Sequence, residues 1–310
     1  MLSRRQLMCT VALGGTAGRA MEGKSPDTPL PTRLLGRTGE RVSILGFGGG
    51  SRFQMYKEED AALEALTLAL DLGITYIDTA DDYSNGLSER RIGKVLKTRG
   101  HKSVFVATKL SNRDPAQARR IVETSLRNLQ TDQIDLIHVH HLTDREDLAR
   151  LEAKGGIIDQ LLKFRDEKLT RFIGITSHSD PEVLASALEN HDFDCTQMAL
   201  NAARVSMTNG PGPRVANWAG KTSFEQVALP VALRKKMGVI AMKVLAQDGL
   251  IGPATPQKLL PYAMSLPLAT AVVGMPKLEH IENNVRLARS FKPLPESEMR
   301  QLYNQLDRRK

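Results

Sequence analysis

Eight short β-branched runs recur along this chain, each separated from the next by an amphipathic stretch long enough for a helix. They begin near Val42, Ile74, Ser103, Ile134, Arg171, Asp194, Val239 and Leu268. A parallel strand pair needs a long crossover, normally a helix, so strict alternation of the two predicts a parallel α/β sheet. Among the first four runs the spacing stays close to thirty residues, one βαβ step each time. The intervening stretches have helical period: Ala62, Ala65, Leu66 and Ala69 share one face, as do Ala118, Ile121, Val122 and Leu126. Gly73, Gly100 and Gly238 stand between helix and strand, where a left-handed cap favours glycine. Eight cycles in about 250 residues is the size of a (β/α)₈ barrel. A doubly wound sheet would want G-x-G-x-x-G after its first strand. Gly46 to Gly50 reads G-F-G-G-G and runs on into Ser51-Arg52-Phe53, which is not that turn.

Ahead of the first barrel strand, Arg33 to Ser43 reads as two short runs around Arg37-Thr38-Gly39. This is a hairpin signal, expected to plug the barrel floor. The domain reading is therefore a signal-like segment and linker over 1–32, a barrel over 33–292, and a C-terminal helix with a basic tail over 293–310. The last helix is expected from about Glu296 to Asp307.

Charge and cysteine content narrow the function classes. Lys plus Arg number 43 against 35 Asp plus Glu, a net charge of +8. Such an excess invites a nucleic-acid or membrane partner unless it is localised. It is localised: Arg4, Arg5 and Arg19 occupy an acid-free first twenty residues, and Arg308, Arg309 and Lys310 end the chain. The barrel region is close to neutral, so no nucleic-acid surface is required. Cys9 and Cys195 alone exclude a disulfide scaffold, a four-cysteine zinc site and a cysteine-ligated cluster. No run of about 18 apolar residues occurs, so no stable membrane anchor is expected. The opening M-L-S-R-R-Q-L-M and the small, weakly apolar stretch Cys9 to Gly18 outline a secretory signal. Arg4-Arg5 between Ser3 and Leu7 resembles a twin-arginine signal, which predicts periplasmic or exported protein and contact with that machinery. The alternative is a cytoplasmic protein with a disordered leader.

In a barrel of this kind chemistry belongs at the carboxyl ends of the strands. Strand two, T-Y-I-D-T-A, stops at Asp78, with Tyr83 five residues on; strand three, S-V-F-V-A-T-K, ends at Lys109. Strand four, I-D-L-I-H-V-H-H, ends with His138, His140 and His141. Alternation puts Leu136, His138 and His140 on one face and Asp135, Ile137 and Val139 on the other. An acid, a phenol, an ammonium and an imidazole thus converge on one rim. A carboxylate–ammonium pair is expected to lower the phenol from about 10 toward the range of a general acid. His138 reads as a hydrogen-bonded barrel residue and His141 as outward or in a loop.

G-I-T-Y-I-D-T-A-D-D-Y-S-N-G-L-S-E, V-A-T-K and D-L-I-H-V-H together resemble the aldo-keto reductase superfamily over essentially 33–292. The resemblance implies a catalytic tetrad of Asp78, Tyr83, Lys109 and His140. It implies an oxidoreductase in which NADPH, or less often NADH, delivers hydride to an aldehyde or ketone carbon. Tyr83 would protonate the carbonyl oxygen, Lys109 held by Asp78 would tune it, and His140 would orient the carbonyl. No metal is implied.

The same resemblance distributes the cofactor contacts. Gly48 and Gly49 close strand one against the cofactor. Thr176-Ser177 stand where relatives have Ser-Asn on the nicotinamide carboxamide, and Gln197 is expected to bond the same group. Met242 replaces an aromatic stacking residue with a softer face. Lys243 and Leu245 begin the segment around the pyrophosphate. Gly274 and Met275 would lie along the 2′-phosphate at a helix start, with Lys277 and His280 beside it and Asn283 and Asn284 along the adenine. His280 stands where NADP-selective relatives often have arginine. The substrate itself is not specified by these residues; Leu142 to Gly155 and Asn201 to Thr222, which holds Trp218, are expected to roof the pocket.

Three other readings compete. His138-x-His140 suggests a metal-dependent barrel hydrolase, although such enzymes want that pair on strand one and an Asp ending strand eight. Lys109 could form a Schiff base in an aldolase. A barrel that senses NADP without catalysis would keep the same fold.

Overall fold

The computed structural model describes residues 28–101, 104–209 and 214–307. The leader through residue 27, with Arg4, Arg5 and Cys9, lies outside the described residues, as do Arg308 to Lys310. Strands β1 (Thr32–Leu34) and β2 (Arg41–Ser43) form the expected antiparallel hairpin, Thr32 opposite Ser43. Eight parallel strands close into a barrel: β3 (Leu45–Gly48), β4 (Tyr76–Asp78), β5 (Phe105–Leu110), β6 (Ile134–Val139), β7 (Thr170–Ser177), β8 (Cys195–Ala199), β11 (Gly238–Met242) and β12 (Thr270–Val273). A small hairpin, β9 (Ser206–Met207) with β10 (Ala216–Asn217), lies between β8 and β11. The first run thus divides: Val42 belongs to the floor hairpin, and the barrel begins at Leu45.

The helices form the outer layer through the faces their periodicity predicts. In α1 (Glu59–Asp71), Ala62, Ala65, Leu66 and Ala69 are buried. In α3 (Pro115–Leu129), Asp114 caps the first turn through the Ala116 N–H, and Ala118 and Val122 are buried. Around the remaining strands lie α2 (Leu87–Arg99), α4 (Arg145–Glu152), α5 (Ile157–Asp166), α6 (Pro181–Asn190), α7 (Ala228–Arg234), α8 (Pro256–Ser265), α9 (Leu278–Arg289) and α10 (Glu296–Leu306).

Leu35 and Val42 of the hairpin region join Tyr76, Phe105, Leu136, Cys195 and Ile240 in one interior cluster. Tyr76 stacks on Phe105 at 5.6 Å, and Phe105 on Phe172 at 6.1 Å, so the lower barrel is a packed aromatic layer. The floor is closed, and the chemistry is confined to the other end. Gly73 and Gly100 have φ of +97° and +84°, as their cap positions require. Gly238 does not: it opens β11, and a Cβ there would lie 2.8 Å from Cys195 Sγ and from Leu35. Close packing, not backbone conformation, demands glycine at 238; Lys236 takes the left-handed turn, at φ +55°.

Candidate active site

Inward-pointing positions of consecutive strands build the site. Alternation along β5 puts Phe105 and Ala107 in the barrel interior and lifts Lys109 to the rim. Its neighbour β4 ends at Asp78, directly after buried Ile77. Lys109 Nζ donates to Asp78 Oδ2 at 2.8 Å, to the Thr79 carbonyl at 2.6 Å and to Tyr83 Oη at 3.3 Å. The lysine is 2 % exposed and Asp78 4 % exposed. An ion pair so deeply desolvated persists only with good geometry, which the two short bonds to Asp78 and the Thr79 carbonyl supply.

Tyr83 rides on the β4–α2 loop, and that loop is pinned at its far end. Ser88 Oγ donates to the Gly49 carbonyl at 2.8 Å and accepts from Thr79 Oγ1 at 2.8 Å. Buried Glu89 accepts from Thr108 Oγ1 at 2.7 Å and from Asn128 at 3.1 Å. The Lys109 ammonium sits 4.9 Å from the centroid of the Tyr83 ring. Tyr83 and His140 meet edge to face at 5.6 Å. The four residues expected to act together are therefore brought together.

Their electrostatics differ from the expectation at one point. Burial raises the Tyr83 phenol above 10, outweighing the downward pull of Lys109. Removal from water opposes the anion more strongly than one already-paired ammonium supports it. For Lys109, burial opposes the charge, but Asp78 and Tyr83 outweigh it and hold the ammonium above its ordinary value. Both groups thus keep their protons at neutral pH.

His140 is held by groups to which the sequence reading gave no role. Ser111 Oγ lies 2.7 Å from His140 Nδ1 and donates to Asp81 Oδ1 at 2.7 Å. Asp82 Oδ1 stands 3.4 Å from the same nitrogen. The ligand atoms of Asp81, Asp82 and His140 lie within 4.8 Å of one another, close enough for a metal ion. Ser111 and the imidazole already satisfy them.

His138 is a correction. It is completely buried beneath Gly174, and neither ring nitrogen has a hydrogen-bond partner. Burial, then Lys109 and His140, hold it neutral far below its usual range. It shares no opening with His140, so the His138–His140 pair of a barrel hydrolase is not assembled. His141 lies in the loop after β6, one of its two expected places, but does not point outward: at φ +54° it turns into the cleft, where it stacks on His178 at 4.0 Å and meets Ser179 Oγ through Nε2 at 2.8 Å. Burial holds His141 down at about 4 and His178 lower still.

These three imidazoles set an acid limit on stability. Unfolded histidine titrates near pH 6.5, whereas His138, His141 and His178 hold lower values in the fold. Below pH 6.5 the unfolded chain binds more protons than the native one, so stability falls as pH falls. The loss runs from pH 6.5 down to about 4, where His141 protonates in place. The melting temperature is expected to drop by roughly 5–10 °C across that window. A constant melting temperature from pH 7 to 5 would contradict the neutral imidazoles.

Two lobes open above the tetrad. One, about 420 Å³, is lined by Gly48, Gly50, Arg52, Gln197, Met242, Lys243, Leu245 and Gly274 with Asp78 and Tyr83. The other, about 450 Å³, joins Tyr83, His140 and Thr176 to His141, His178, Arg214 and Lys243. Several expected cofactor residues face the first lobe, and the Gln197 side-chain oxygen is buried there without a partner. An amide N–H₂ is the complement of that oxygen.

Others do not reach the cleft. Ser177 is fully buried and spends its hydroxyl on the Leu142 carbonyl at 2.8 Å. Thr176, at the lobe, accepts the His141 N–H at 2.8 Å. The Met275 side chain belongs to the hydrophobic core, and Gly49 gives its N–H to the Asp78 carbonyl at 2.7 Å. Lys277 and His280 are exposed at the start of α9, Asn283 accepts from Arg286, and Asn284 is 8 % exposed. Trp218 packs against the core. Arg52 forms an ion pair with Asp248, and both line the first lobe. Nothing in the local sequence marks that pair, since the partners lie 196 residues apart.

A barrel carrying an Asp–Tyr–Lys–His rim defines a class of oxidoreductase scaffold, and comparison with known proteins specifies it. Residues 44–258 match the model of the aldo/keto reductase family, so the chain belongs to that family. It is 36 % identical over 160 residues to L-galactose dehydrogenase of Arabidopsis thaliana, covering 48 % of this chain and 49 % of that enzyme. It is 31 % identical over 165 residues to the aldo-keto reductase yakc [NADP(+)] of Schizosaccharomyces pombe, covering 48 % and 46 %. The chain thus spans about half the length of these two relatives. Among solved structures, the holo form of aldo-keto reductase AKR11C1 from Bacillus halodurans superposes with a TM-score of 0.71 at 25 % identity, covering 91 % of this chain and 97 % of that one.

Proposed function

We propose that this protein reduces an aldehyde or ketone to an alcohol with a nicotinamide cofactor, NADPH preferred. The carrying observation is the Asp78–Lys109–Tyr83 chain, closed at 2.8 and 3.3 Å at the base of the cleft. The protonated phenol of Tyr83 gives its proton to the carbonyl oxygen as negative charge develops there. Lys109, fixed by Asp78, stabilises the phenolate left behind. His140, held by Ser111 and Asp82, aligns the carbonyl oxygen against Tyr83. A bound dihydronicotinamide supplies the hydride, and Gln197 would hold its carboxamide. The NADP(+) in the name of the fission-yeast relative supports the cofactor assignment.

The test is a titration of both reduced cofactors followed by nicotinamide fluorescence, paired with a panel of aldehydes, ketones and quinones. Tighter NADPH than NADH binding, with cofactor oxidation by at least one carbonyl class, is expected. Equal or tighter NADH binding would overturn the cofactor preference; no oxidation across the panel would overturn the reductase reading.

A further inference from the structure

The second lobe holds groups that proton and hydride transfer do not use. Lys243, at the end of β11, faces it from a left-handed backbone position, at φ +55°. Its ammonium makes no hydrogen bond or ion pair with any described residue. Burial, then the nearby charges of Lys109 and Arg214, push it down to about 8. Beside it His178 is 7 % exposed, and its buried Nδ1 has no partner. Arg214 reaches the same lobe from the segment leading into β10. Arg113 lines it too and is held by Asp147 at 2.8 and 2.9 Å.

A desolvated cation without a counter-charge is costly to a folded chain. Such a group beside an unpartnered imidazole fits a ligand that brings the missing negative charge. Across this lobe Arg113 and Arg150 stand beside Asp147 and His140 beside Asp82, so neither of its carboxylates is paired with Lys243. A half-buried ammonium and an imidazole lining the same lobe can together take the two oxygens of a carboxylate. Tyr83 and His140, which would take the carbonyl, line the same space.

We propose that Lys243, Arg214 and His178 form a subsite for the carboxylate of the substrate, so that the protein reduces acid-bearing aldehydes or ketones in preference to neutral ones. This rests on the reductase reading above and assigns Lys243 to the substrate rather than to the cofactor pyrophosphate.

The test compares 4-carboxybenzaldehyde with its methyl ester at saturating NADPH, as the ratio of kcat/KM values. The two aldehydes differ in intrinsic reactivity, so the ratio is read between variants. Lys243→Met is expected to lower the acid-to-ester ratio about tenfold, and Arg214→Gln to lower it in the same direction. An unchanged ratio in both variants overturns the subsite. A fall shared equally by acid and ester, with a raised KM for NADPH, places Lys243 on the cofactor and also overturns it. If the wild-type protein reduces neither aldehyde, the full carbonyl panel decides the reductase reading, and calorimetric binding of terephthalate decides the subsite. Binding weakened about tenfold by Lys243→Met supports it, and absence of wild-type binding rejects it.

Discussion

Tyr83→Phe is expected to lower NADPH oxidation with 4-nitrobenzaldehyde by about 10²–10⁴-fold, the contribution typical of a placed general acid. The variant removes one hydroxyl and leaves the ring, so the edge contact with His140 at 5.6 Å is kept. Nicotinamide fluorescence should show the cofactor still bound, which separates a chemical loss from a binding loss. Because the Tyr83 phenol lies above 10, wild-type reduction is expected to stay flat through neutral pH and to fall only in the alkaline range. Full turnover in Tyr83→Phe would reject the proton-donor role outright.

Lys109→Met is expected to destabilise the fold as well as stop turnover. The methionine leaves Asp78, 4 % exposed, with one carboxylate oxygen already unpartnered and no cation beside it. Stranding a buried charge in this way costs about 3–5 kcal/mol, measurable by urea unfolding. The double variant Asp78→Leu with Lys109→Met is expected to recover much of that stability and none of the activity. Recovery of both would mean that the pair is structural only. The sign of the pH effect follows from the raised value of Lys109. Its contribution is fully present below the unfolded value of about 10.4 and is lost as pH climbs through the higher folded one. Acid, by contrast, acts through the histidines.

Much of this was legible before any coordinates. Helical and strand periods are local properties, so the eight cycles, the floor hairpin and the buried faces of α1 and α3 could be read directly. The tetrad was legible for a related reason: residues ending strands in a closed barrel are bound to share a rim. Side-chain environment was less accessible. His138 and His140 alternate onto one face, yet Gly174 seals the first in the interior and leaves the second at the rim. His141 reads from the sequence as outward or in a loop; it is in the loop, and the left-handed turn of the backbone after β6 aims it into the cleft. Thr176 and Ser177 carry similar hydroxyls, but strand pleating directs only the first toward the lobe.

The sequence by itself determined the barrel, its closed floor and the four residues at one rim, because pattern and strand order suffice for these. Only the tertiary structure decided which protons those residues keep. Burial depends on what packs around a group from distant parts of the chain, and here it outweighs the neighbouring ammonium at Tyr83. It likewise left Lys243 without a counter-charge, through the approach of β11 and the segment into β10, separated in sequence by more than a helix. The basic excess that first stood out in composition belongs mostly to the chain ends, whereas the cations at the cleft are placed there one by one by the fold.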